Sequence, residues 1–218
     1  MPNHTANNFT ITGPIADIKR FIDIAKDGDT ELSFNKLVPM PDELRGISSP
    51  VRIMTQAEID EVWATWNKQK ADGTLSEYQK GGPFGLGITQ ETSDRLIEKY
   101  GTNDWYEWAV KNWGTKWDCY DVTSWDITEN GDNSSATIYY ETAWSPATQM
   151  WEKVSRDYPT IQFFHEFADE GGGFVGNQLI QNGDIVEDND YEWDSDEGIV
   201  IREAVGMWVE EDTEEVEN

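Results

Sequence analysis

The sequence predicts an α+β fold in which strands and helices follow the order βαββαβ, with a helical insertion in its first half and an acidic extension at its end. Three observations carry this expectation. The chain opens with an alternating segment and then a helical stripe, between Asn8 and Ala25. Two further alternating segments, Cys119 to Ile127 and Ala136 to Ala143, flank a turn-rich stretch. A second helical stripe then leads into the β-rich run Ile161 to Phe167.

In order, Asn8-Phe9-Thr10-Ile11-Thr12 alternates apolar and polar residues and stops at Gly13-Pro14, which predicts a short strand and a turn. Pro14 suits a helix's first turn, and Ile15, Ile18, Phe21, Ile22 and Ala25 recur at helical spacing until Asp27-Gly28-Asp29. Leu32 to Val38 reads as a short extended piece before Pro39-Met40-Pro41. From about 42 to 100 the pattern is that of a helical insertion. Thr55 and Glu58 form a capping box for a helix over Gln56 to Lys70 whose stripe of Ile59, Val62, Trp63 and Trp66 predicts a buried face. Thr89 or Thr92 caps a further helix ending at Tyr100-Gly101, and Asn103-Asp104 starts one carrying Trp105, Trp108, Ala109 and Val110.

The segments on either side of Glu129-Asn130-Gly131-Asp132-Asn133 are expected to pair as a hairpin. Ser145-Pro146 opens the next helix, with Ser145 as cap and Ala147, Met150, Trp151 and Val154 as its buried stripe. Ile161 to Phe167 is expected to lie beside the first strand. That order is the ferredoxin-like arrangement of an antiparallel sheet. Phe174 to Ile180 and Asp184 to Val186, split by Asn182-Gly183, prolong the sheet at its edge. The resulting division is a domain over 1–180 and an acidic extension over 181–218, ordered from Ile199 to Val209 and frayed over 210–218.

The heptapeptide Asn112-Trp113-Gly114-Thr115-Lys116-Trp117-Asp118 joins helix to sheet, its glycine placed for a left-handed turn between two indoles. With Met1-Pro2-Asn3 to Gly13-Pro14, Phe34 to Pro41, Thr142-Ala143-Trp144-Ser145-Pro146 and Phe167 to Gly171, it resembles the landmarks of the YubB-like family of phage-, prophage- and plasmid-borne proteins. The resemblance spans roughly residues 1 to 176. It implies a ferredoxin-like fold and a mobile-element origin, and it implies no reaction.

Forty-three acidic residues against sixteen basic ones give a formal charge of −27. Such a charge opposes binding to nucleic-acid backbones, which depends on Lys and Arg displacing counterions, and it opposes anionic membrane surfaces. No apolar run approaches the roughly 20 residues of a spanning helix, and Met1 to Thr12 has neither the basic start nor the apolar core of a signal peptide. The expected location is the cytoplasm of a bacterial host. Cys119, the single cysteine, reads as a small buried strand residue.

Catalytic and metal-ligating patterns are weak. His165-Glu166 with Asp169-Glu170 is the one place where an imidazole meets carboxylates in an ordered element, yet neighbours on a strand point to opposite faces. The loop Gly81 to Gly87 lacks the Lys-Ser/Thr of a phosphate cradle, and the acidic run from Asp188 to Gly198 fails the calcium-loop register, with Glu197 where glycine is required. The sequence therefore predicts no enzyme, no cofactor and no metal. From Asp184 to Asn218 there are fifteen acidic residues and one basic residue, Arg202, with aromatic residues interleaved. This pattern predicts an acidic protein-binding surface made of Asp188, Asp190, Tyr191, Glu192, Trp193, Asp194, Asp196, Glu197, Trp208, Glu210 and Glu211. Carboxylates there would imitate the charge of nucleic acid, and Tyr and Trp would anchor the interface of a basic host protein such as a nucleic-acid enzyme or defence factor. The alternative is a small-ligand pocket for a nucleotide signal, lined by Trp113, Lys116, Trp117 and Trp144.

Overall fold

A computed structural model describes residues 3–76, 82–83 and 85–207 of the chain. The chain divides into two compact units, one formed by residues 1–39 and 111–218, the other by residues 40–110. The first unit is built on a six-stranded antiparallel sheet of order β2-β3-β1-β4-β5-β6. Its strands are β1 (His4–Gly13), β2 (Asp126–Thr128), β3 (Ser134–Ala143), β4 (Gln162–Asp169), β5 (Val175–Gln181) and β6 (Asp184–Asp190). β1 lies at the centre, antiparallel to β3 on one side and to β4 on the other, as expected for Ile161 to Phe167.

Strand alternation gives the sheet two different faces. Phe9 and Ile11 of β1, Ile138 and Tyr140 of β3, and Phe163, His165 and Phe167 of β4 are buried on one face. The helix α1 (Ile15–Ala25) brings Ile18, Phe21, Ile22 and Ala25 to this core, and α6 (Thr148–Ser155) brings Met150, Trp151 and Val154. Phe9 stacks on Trp151 with ring centroids 4.0 Å apart. Ala6, Asn8, Thr10, Phe164, Glu166 and Leu179 belong to the other face, which is only partly covered. There α7 (Asp196–Ala204) and the residue after it seat Ile201 and Val205 against Ala168 and Val175, with Tyr191, Trp193 and Met207 packed around them.

Several elements differ from expectation for local reasons. Phe34–Leu37 is a short helix, α2, rather than an extended piece, because Asp118 accepts hydrogen bonds from the backbone N–H groups of Phe34 (2.6 Å) and Asn35 (3.3 Å) at its start. The segment 119–127 pairs with β3 only intermittently, with β2 reduced to three residues. Asp121 at φ 50 interrupts the ladder between the Tyr120–Glu141 bridge and the Thr123 N–H bond to the Tyr139 carbonyl. Cys119 accordingly lies outside a strand, its thiol donating to the Leu32 carbonyl (3.3 Å), and burial pushes its pKa up. α6 begins at Thr148, not at Pro146: the Ser145 hydroxyl donates to the Gly114 carbonyl instead of capping, and Ala147 precedes the helix at φ 51. Helix α7 starts at Asp196, three residues before the expected ordered stretch, because the Ser195 hydroxyl accepts from the Gly198 N–H (3.0 Å).

The unit of residues 40–110 holds α3 (Gln56–Ala71), α4 (Gln90–Tyr100) and the greater part of α5 (Trp105–Asn112). The Thr55–Glu58 capping box is present, Thr89 caps α4, and the Asp104 carboxylate receives the Tyr106 N–H at 2.7 Å. Trp66 is buried as expected, whereas Trp63 stays 39% exposed because α3 turns only a thin stripe inward. A cleft of about 950 Å³ in this unit is lined by Ile47, Leu86, Ile88, Trp63 and Trp105 among others. No helix among the described residues is long and apolar enough to cross a membrane.

One polar string runs through the core of the first unit. The Trp151 indole N–H donates to the Tyr140 hydroxyl (2.9 Å), and His165 Nε2–H lies between that oxygen (3.2 Å) and Asn7 Oδ1 (2.9 Å). The Asn7 amide is oriented by donating to the Thr5 carbonyl (2.7 Å) and Thr142 Oγ1 (3.1 Å), which leaves its oxygen to accept from His165. Nδ1 of His165 has no partner among the described residues. Burial of this imidazole lowers its pKa to about 3, so it is neutral in the fold. The folded pKa lies below the ordinary 6.5, so protons favour the unfolded chain. The contribution of neutral His165 is complete above pH 6.5 and is lost as pH falls toward 3, at roughly 1.4 kcal/mol per pH unit. Thermal melts between pH 7 and pH 4 should therefore show a steeper stability loss for the natural chain than for His165→Gln; parallel curves would contradict this.

Candidate functional site

The residues expected to bind a partner fall on β6, the loop after it and α7. Among the described residues β6 is the last strand of the sheet, hydrogen-bonded to β5 on one side only. Asn182 (φ 51) and Gly183 (φ 87) make the tight turn that sets its register. Asp184, Glu187, Asp188 and Asp190 on β6, Glu192 and Asp194 in the loop, and Asp196 and Glu197 in the first turn of α7 are all exposed. Asp188 accepts from the Gln178 amide at 2.8 Å, which fixes one carboxylate against the sheet. Trp208, Glu210 and Glu211 lie outside the described residues.

The interleaved aromatics point inward. Tyr191 and Trp193 are half-buried against the Ala168, Val175, Ile201 and Val205 cluster, so they hold the acidic segment to the sheet. Arg202, the single basic residue of this region, is buried with its guanidinium 4.8 Å from the Trp193 ring centroid and 3.7 Å from the Asp194 carboxylate. A cation–π contact and an ion pair thus consume the local positive charge and leave the outer carboxylates without a cation on their own segment.

Helix α7 also walls a small cleft on the partly covered face of the sheet, about 350 Å³, with Glu166, Asn177 and Tyr191 opposite Val200 and Ile201. Glu166 is half-buried and accepts from the Asn8 amide at 2.7 Å; burial pushes its pKa up, and that hydrogen bond partly offsets the rise. Sequence reasoning met Glu166 only as a neighbour of His165 and missed the side chains around it. Asn8, Glu166, Asn177 and Asn189 come from four strands and become a row only through the strand register.

The alternative pocket divides. Trp113 is buried, and its indole N–H donates to the Val38 carbonyl at 2.9 Å. Trp117 and Trp144 are 39% and 43% exposed, and the Lys116 ammonium stands 4.5 Å and 4.8 Å from their ring centroids. Most of the heptapeptide has a packing role. Gly114 takes φ 82 where a Cβ would collide with the Gln149 side chain, Thr115 exchanges hydrogen bonds with the Ala143 backbone, and Asp118 fastens Ser33, Phe34 and Asn35. His165 and Glu166 lie on opposite faces of β4. Asp169 accepts from the Gly173 N–H (3.0 Å) and the Asn3 amide (3.3 Å), closing a turn. Among the described residues no group of three or more His, Cys, Asp or Glu side chains is arranged to hold a metal ion.

Comparison with known proteins agrees with a ferredoxin-like domain. Residues 113–216 match the family model described as the ferredoxin-like domain in Api92-like protein, starting within the heptapeptide. No curated protein sequence matches the chain. The crystal structure of protein Api92 from Yersinia pseudotuberculosis aligns with 88% of this chain and 98% of that one, at 10% sequence identity and a TM-score of 0.45.

Since Asp118 satisfies backbone donors at the start of α2, Asp118→Ala should cost about 0.5–2 kcal/mol of stability, the usual range for a lost cap. Trp117→Ala, at an exposed position, should change stability by no more than ~0.5 kcal/mol. Urea unfolding of both variants decides whether the heptapeptide corner is a packing device at Asp118 and free of that duty at Trp117.

Proposed function

We propose that this protein is a non-enzymatic binding module that presents a fixed acidic face to a basic surface on a partner protein. The observation that carries the reading is the placement of exposed carboxylates on β6, its following loop and the first turn of α7, with the intervening aromatics spent on holding that segment rigid. A rigid array of charge loses less conformational entropy on binding than a flexible acidic tail. Complementary charge speeds encounter and rejects acidic competitors.

In this reading β1 to β4 with α1 and α6 form the βαββαβ core, and β5, β6 and α7 are the acidic extension built onto its edge. Nucleic-acid enzymes and defence proteins carry the basic surfaces such a face would cover, by imitating a phosphate backbone. The resemblance to YubB-like phage and plasmid proteins supports an effector acting in a bacterial host. The second reading, a nucleotide-signal binder at Trp117, Lys116 and Trp144, draws support from the two exposed indoles. It is weaker because Lys116 already fills the space against both rings and Trp113 belongs to the core.

The test compares two variants of equal charge change. Asp188→Asn, Asp190→Asn, Glu192→Gln and Asp194→Asn together should release basic bacterial proteins that the natural chain captures at physiological salt and loses at high salt. Neutralising Glu61, Asp72, Glu91 and Glu98 together should leave capture intact. Equal capture by both variants would overturn the acidic-face reading.

A further inference from the structure

The row of polar side chains beneath α7 leaves acceptors without donors. Strand register aligns Asn8 with Glu166, Glu166 with Asn177, and Asn177 with Asn189. Asn8 donates one amide N–H to Glu166 (2.7 Å), Asn189 donates to Asn177 Oδ1 (3.0 Å), and Asn177 donates toward the Tyr191 hydroxyl (3.4 Å). Two acceptors then remain. Asn8 Oδ1 is buried with no partner among the described residues, in a side chain only 8% exposed. The Glu166 carboxylate, which can take several donors, has the Asn8 amide as its one hydrogen-bond donor among the described residues. Of the two, Glu166 lines the cleft and is half-buried there, so it is the acceptor that a donating ligand reaches, and its remaining lone pairs are satisfied by such a ligand.

The cleft above the row specifies the rest of that ligand. At about 350 Å³ it is at the small end of the roughly 300–1,000 Å³ range of ligand pockets, enough for one long side chain rather than a cofactor. Val200, itself 59% exposed, and Ile201 make an apolar wall suited to a methylene stem. Asp196 and Glu197 at the rim outweigh the partial positive charge of the α7 N-terminus, so the opening is negative. A donor-rich, positively charged head on an aliphatic stem is the description of an arginine side chain, whose planar fork suits a carboxylate beside an amide.

We propose that this cleft is the seat of a single arginine side chain presented by the basic partner, its guanidinium on Glu166 and its stem on Val200 and Ile201. The proposal rests on the acidic-face reading and gives it a point of specificity. The rim acids and β6 attract any basic surface, while the Glu166 seat selects one that offers an arginine in the right place. Glu166 is here a binding residue, Asn8 and Asn177 its positioning neighbours.

The experiment titrates the full chain with Nα-acetyl-arginine methylamide, followed by amide chemical shifts, with the neutral citrulline analogue in parallel. Saturable shifts centred on Asn177, Tyr191 and Ile201 are expected with the arginine compound and none with citrulline. Glu166→Gln keeps an acceptor for Asn8, so it should fold with an unchanged melting temperature. It should weaken binding roughly tenfold, the loss expected for one charged hydrogen bond. Glu61→Gln with Glu91→Gln, exposed positions in the other unit, should bind as the natural chain does. Diffuse shifts along β6 that Glu166→Gln does not alter, or equal binding of citrulline, would overturn the seat. The two proposals fail separately. A partner lost on neutralising the acidic face and indifferent to Glu166→Gln removes the arginine seat alone. Arginine binding at Glu166 together with a partner indifferent to the acidic face removes the broader reading and leaves the seat.

Discussion

The string Trp151–Tyr140–His165–Asn7 is the interaction on which the first unit depends. It joins α6 to β3, β4 and β1, the three central strands, inside a core otherwise made of Phe9, Phe163, Ile138 and Phe21. An apolar core alone tolerates sliding of similar side chains. A buried polar string does not, because each displaced partner leaves a donor or acceptor unpaired in low dielectric. A one-residue slip of β4 would also send His165 to the partly covered face and Glu166 into the core. The string therefore fixes which face each strand presents, and through that fixes the row of Asn8, Glu166 and Asn177 on the opposite side.

What the sequence made legible follows from the range of the interactions involved. The capping box of α3, the Thr89 cap of α4, the Asn182-Gly183 turn and the alternation of β1 and β4 are local, and each was readable from neighbouring residues. α2 was not, because its N-terminal cap is Asp118, 84 positions from the Phe34 N–H it accepts. Ser145 looked like a cap on local grounds and is used instead by Gly114, 31 positions away. Its competing partner moves the start of α6 to Thr148. The acids of the candidate face were readable because charge alone predicts exposure. The inward turn of Tyr191 and Trp193 was not, since only the docking of α7 on Ala168 and Val175 decides which side of that segment is covered. Glu166 was visible in the sequence only as a neighbour of His165, and its actual company comes from register.

The acidic edge resolves two problems at once. Among the described residues no strand pairs with the outer side of β6, and an uncharged edge of seven residues would invite pairing with other chains. Its carboxylates suppress that pairing, most strongly with copies of this chain, which carry the same charge. The opposite edge, β2, is only three residues long and offers little template. Self-repulsion within the acidic segment has to be outweighed locally, and Arg202 does this from below: buried between Trp193 and Asp194, it neutralises from inside while the outer surface stays anionic.

Charge of this density cannot by itself choose a partner. Exposed carboxylates act over about a Debye length, ~8 Å at physiological salt, so an acidic face acting as proposed would attract basic proteins in general and release them as salt rises. Selection needs contacts that are lost unless shape and chemistry both match, and those arise where charge is partly removed from water. Glu166 of β4, under α7, meets that condition: it is half-buried, held at a fixed position by Asn8, and set beside an apolar wall. A cation reaching it must leave water, and only one that supplies directed N–H groups to a carboxylate recovers the cost. The exposed face would thus govern how fast a partner arrives, and the recessed carboxylate would govern which partner stays.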